Sequence, residues 1–86
     1  MVYLALTAAG ARELVDLAQR EKMPIWLNNG ALNKQQVQHL REAGLNVSVF
    51  TKRVDPADSE AIADAVSTIA EHHPGHTVWV EQVNAA

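Results

Sequence analysis

The sequence predicts a single α/β domain: an open sheet of four parallel strands in the order β-α-β-α-β-α-β. Three observations carry that reading. Four short apolar runs, VYLAL, IWL, VSVF and TVWVE, recur along the chain. The three intervals between them carry helical spacing of apolar residues, so every crossover has its own helix, as parallel pairing requires. The runs are nearly free of polar interruption, which is how strands covered on both faces read.

The first strand is Val2 to Leu6, and Thr7 is placed to cap the helix AAGARELVDLAQRE that follows. Ala11, Leu14, Leu17 and Ala18 fall on one stripe of that helix with Val15 beside it, leaving Arg12, Glu13, Asp16, Gln19 and Arg20 for solvent. Pro24 cannot continue a helix and suits the residue before a strand, here Ile25-Trp26-Leu27. Asn28-Asn29-Gly30 is a turn cluster, because Asn and Gly accept left-handed backbone.

Leu32 to Arg53 carries the most local instruction. Asn33 and Gln36 have capping-box spacing, and Leu32 and Val37 have staple spacing. Gly44 takes the C′ position with Leu45 at C″, so a second helix is expected over about Lys34 to Ala43. Val47, Val49 and Phe50 form the third strand, interrupted only by Ser48 and ended by Thr51-Lys52-Arg53. Asp55 as cap and Pro56 at N1 are expected to open the third helix, with Ile62, Ala65, Val66, Ile69 and Ala70 as its buried stripe. His72-His73 and Pro74-Gly75 end it, and Thr77 to Glu81 is the fourth strand. The first expectation for the sheet is the flavodoxin-like order 2-1-3-4, with helix one alone on one face and helices two and three on the other. The order 3-2-1-4 is the alternative.

A chain of 86 residues fits one domain, expected over residues 1–82 with 83–86 as a tail. At this size roughly 60–65% of the unfolded surface is buried, so the core is small. Apolar residues are 48% and charged residues 20%, as in a globular protein. A net charge of −3 gives no basis for nucleic-acid binding. The absence of cysteine excludes disulfides, thiolate catalysis and cysteine-ligated metal. No basic leader precedes the first apolar run, and no run approaches the ~20 residues of a membrane span. A cytoplasmic protein with no membrane partner and no cofactor is expected.

Known catalytic patterns fail one by one. The loop after strand one, Thr7-Ala8-Ala9-Gly10, has a single glycine where a dinucleotide fingerprint needs three, and no Walker loop exists. Acidic residues at strand ends, needed for magnesium-dependent phosphoryl transfer, reduce to Glu81. Ser48, Ser59 and Ser67 sit in no G-x-S-x-G elbow. Whether the chain is an enzyme is left open.

Three constellations survive. Thr7, Asn28, Asn29, Thr51, Lys52 and Arg53 gather at the C-terminal ends of the strands, where open α/β sheets bind ligands and helix N-termini favour anions. The plain alternative is that the first three are turn and cap residues and the last two a solvated pair. His72, His73 and His76 form a weak metal candidate, against which stands the ordinary preference of histidine for helix C-termini. Tyr3, Trp26, Phe50 and Trp79 all lie on strands, where core packing competes with use as a partner surface. Phe50, Trp79 and Glu81 are the interface candidates. The leading expectation is a non-catalytic interaction or regulatory module that self-associates, with a small anionic metabolite at the strand ends as the alternative.

Overall fold

The computed structural model describes residues 1–83. It is a compact α/β domain with elements β1 (Val2–Ala5), α1 (Ala8–Glu21), β2 (Ile25–Leu27), α2 (Lys34–Glu42), β3 (Val47–Val49), α3 (Ser59–His72) and β4 (Val78–Val80). All but Val83 of the expected 83–86 tail lies outside the described residues. Among the described residues no helix is long and apolar enough to cross a membrane.

The strand order is β3-β2-β1-β4, all parallel. This corrects the first expectation of 2-1-3-4 and a flavodoxin-like order. It also moves the helices. β1 to β2 and β2 to β3 step in the same direction, so right-handed crossovers put α1 and α2 on one face. β3 to β4 steps back across β2 and β1, which sends α3 to the other face. One core therefore joins Tyr3, Ala5, Ile25, Leu27 and Val47 to Ala11, Ala18, Val37 and Leu40 of α1 and α2. The other joins Val2, Leu4 and Trp26 to Ala65 and Ile69 of α3. β1, with every residue buried, is an inner strand; β3 and β4 are the edges.

The caps of α1 and α2 form as the residues dictate. Thr7 Oγ1 accepts from Gly10 N–H, and Asn33 and Gln36 close a reciprocal capping box. Gly44, at φ 93°, ends α2 in a Schellman turn: Leu45 N–H reaches Leu40 O at 3.1 Å and Gly44 N–H reaches Arg41 O at 3.0 Å. The start of α3 differs from expectation. Asp58, not Asp55, is its cap, accepting from the N–H groups of Glu60 and Ala61. Asp55 instead holds a preceding turn by accepting from Ala57 N–H at 2.9 Å, with Pro56 inside that turn. Ala70, placed on the buried stripe by spacing, is exposed.

Candidate functional site

At the C-terminal ends of the strands, the expected ligand set divides into internal ties and exposed cations. Asn28 is 2% exposed. Its Nδ2 donates to Leu6 O at 2.9 Å and Val54 O at 2.7 Å, and its Oδ1 accepts from Val54 N–H at 2.8 Å. One amide thus joins the ends of β1 and β2 to the loop entering α3. Asn29 Nδ2 donates to the carbonyls of Phe50 and Thr51, at 3.0 and 3.1 Å. Thr51, Lys52 and Arg53 are exposed, with Arg53 on the rim of a cleft of about 390 Å³ that Thr7 and Asn28 also line. A wider groove of about 840 Å³ runs beside β3, floored by Val37, Val49 and Phe50 and edged by Lys34 and Arg41.

Thr7 is engaged with Glu81. The Glu81 carboxylate accepts from Leu6 N–H at 2.7 Å, Thr7 N–H at 2.9 Å and Thr7 Oγ1 at 2.5 Å. This is the crevice between β1 and β4, the point where the strand order reverses and open α/β sheets seat anions. Here the chain's own carboxylate fills the N-terminus of α1, where the helix dipole favours it. The carboxylate also lies where a Cβ on residue 10 would stand, so Gly10 is required by close approach. Sequence reasoning missed this contact because it spans 74 and 75 positions. Its one legible signal was the glycine in an otherwise good first helical turn.

The interface candidates do not form one patch. Phe50 follows β3 at one edge and packs on Trp26, ring centroids 5.1 Å apart, on the α3 face. Trp79 lies on β4 at the other edge. It pairs in register with Tyr3, so it points to the face of α1 and α2. α1 packs on β1 and β2, and α2 on β3, so Trp79 lies beyond the helices and is 55% exposed. Its Nε1–H donates to Met1 Sδ. Val80 and Met1 are exposed as well.

The histidines lie at the opposite, N-terminal ends of the strands. Trp26 Nε1–H donates to His73 Nε2 at 3.1 Å. His72 packs on the same indole with centroids 5.3 Å apart, and His76 Nδ1 lies 3.4 Å from the Met1 ammonium. Among the described residues no group of three or more His, Cys, Asp or Glu side chains is arranged to hold a metal ion.

The chain matches no protein-family model, no curated protein and no solved structure with which it was compared.

Proposed function

We propose that this chain is a non-catalytic interaction module that self-associates through the outer edge of β4. The observation that carries the reading is Trp79, a large aromatic 55% exposed on an edge strand. The strand VWV has no lysine, proline or bulge to discourage pairing, and such edges are ordinarily covered by something. Burying two exposed indoles and the neighbouring valines removes apolar surface from water at roughly 25 cal/mol per Å². The polar groups at the strand ends support the same reading by their occupation. Thr7 and Asn28 spend their hydrogen bonds inside the fold, so they offer no nucleophile or base.

Light scattering on the purified chain tests it. The wild type is expected at twice its monomer mass, and Trp79→Lys at the monomer mass with an unchanged far-UV spectrum. A wild type that stays monomeric at high concentration refutes the reading.

The second reading, a small anionic metabolite at the strand ends, rests on Arg53 at the rim of its cleft and on exposed Lys52. Phosphate, sulfate and nucleotides titrated against the labelled protein should then shift the amide signals of Asn29 and Lys52. Unmoved signals exclude it.

A further inference from the structure

The free backbone groups of β4 determine how a second copy can dock. In the β1–β4 ladder, Val2 N–H donates to Thr77 O and Glu81 N–H to Leu4 O, each at 2.9 Å. Thr77 and Glu81 therefore turn their peptide groups toward β1, and Trp79, two positions from each, does the same. Val78 and Val80 are left presenting N–H and C=O outward.

The other edge is partly closed. Val47 O, on the outer side of β3, accepts from Arg41 Nε at 3.2 Å and from Nη2 at 3.0 Å. Adding head to tail, β4 on β3, would have to displace the Arg41 guanidinium from Val47 O, whereas β4 on β4 breaks no hydrogen bond among the described residues. Like edge then meets like edge, which is an isologous contact about a two-fold axis. An axis along the strands would set each residue beside its own counterpart in a parallel ladder. Facing residues in such a ladder have different roles, one bonded and the other not, so the symmetry excludes it. An axis through the sheet gives an antiparallel pair.

We infer, resting on the self-association proposed above, that two copies pair antiparallel through β4 into one continuous sheet. Val78 exchanges both backbone hydrogen bonds with the partner's Val80, about four bonds across the two symmetric pairs. Trp79 then faces the partner's Trp79 on the axis, in the closer, non-hydrogen-bonded type of pair. Both indoles lie on the face of α1 and α2, in the gap those helices leave over β4.

The chain has no cysteine, so introduced thiols report cleanly. A facing non-hydrogen-bonded pair has Cα atoms about 4.5 Å apart, within the disulfide range of about 4.4–6.8 Å. Oxidised Trp79→Cys should become mostly disulfide-linked dimer, whereas Ser48→Cys on β3 should not. Because Trp79→Cys removes the aromatic, Val78→Cys and Val80→Cys provide a second readout. Mixed, they should form a heterodisulfide; separately, neither should cross-link. The wild type should also show the bisignate circular-dichroism band of coupled indoles, lost in Trp79→Phe. A dimeric wild type that shows no coupled band, and whose cysteine variants do not cross-link as stated, overturns this pairing and leaves self-association standing. A wild type that is monomeric overturns both.

Discussion

β3 and β4 are both three-residue edges of one sheet, and they are finished in different ways. At β3 the outer carbonyl of Val47 is met by the forked guanidinium of Arg41, and α2 packs against the strand. Phe50 just beyond it turns inward onto Trp26. At β4 the outer groups of Val78 and Val80 have no hydrogen-bond partner among the described residues, and Trp79 lies exposed on the helix face beyond the reach of α1 and α2. The difference follows from topology. α2 connects β2 to β3 and so lies over the β3 side, but its face has no third helix to cover β4. An edge is thus guarded where a crossover passes it and exposed where the chain merely ends its last crossover.

Each edge is nonetheless anchored by one side chain, and the anchors differ in kind. Asn28, buried and neutral, ties the loop beyond β3 to the centre of the sheet. Asn28→Ala leaves Val54 N–H, Val54 O and Leu6 O without that partner. The expected loss is roughly 3 kcal/mol, from buried groups that each cost about 1–3 kcal/mol when unpaired. Against a total of roughly 4–13 kcal/mol for a domain of this size, urea unfolding should show a large drop in midpoint. A loss below about 1 kcal/mol would mean that the β3 side holds without its tie.

The β4 anchor is Glu81, and Gly10 gives a way to isolate it. Glu81→Ala removes the acceptor for two backbone N–H groups and one hydroxyl, and should cost roughly 2 kcal/mol. Gly10→Ala places a methyl on the carboxylate and should also destabilise the wild type, despite the gain of about 1 kcal/mol that alanine brings to a helix. On the Glu81→Ala background the obstruction is gone, so Gly10→Ala should stabilise by about that amount. A double-mutant cycle by chemical denaturation reads this reversal of sign. If Gly10→Ala stabilises in both backgrounds, Glu81 does not occupy the crevice.

How far the sequence announced these features depended on distance along the chain. The α2 caps are local, and Asn33, Gln36, Gly44 and Leu45 act as their spacing requires. The α3 start was ambiguous because Asp55 and Asp58 both offer a cap, and only the fixed position of Val54 between its bonds to Asn28 decides for the second. Strand order is non-local, yet one clue lay in the runs themselves. VYLAL and IWL contain no polar residue, whereas Ser48 interrupts one of the other runs and Thr77 and Glu81 bound the other. The purely apolar runs are the two inner strands. Of the polar residues gathered at the strand ends, spacing located Thr7 and Asn28 but could not say that Glu81 and Val54 would consume their hydrogen bonds.

The smallest effect on folding, and the sharpest test of the contrast between edges, belongs to Arg41. It is a surface residue on α2, and Arg41→Ala should change stability by no more than about 0.5 kcal/mol, as surface substitutions usually do. Its consequence should appear in assembly. With Val47 O released, β3 becomes a second open edge beside the existing groove. A copy with two open edges can accept neighbours on both sides, and growth is then no longer closed by the two-fold at β4. Light scattering should therefore find species beyond the dimer, increasing with concentration. Arg41→Lys keeps the charge but cannot place two donors on one carbonyl in a fixed fork, so it should fall between the two. If Arg41→Ala keeps the wild-type mass at every concentration, the guanidinium does not guard β3. The closure of the assembly must then come from the shape of the groove beside it.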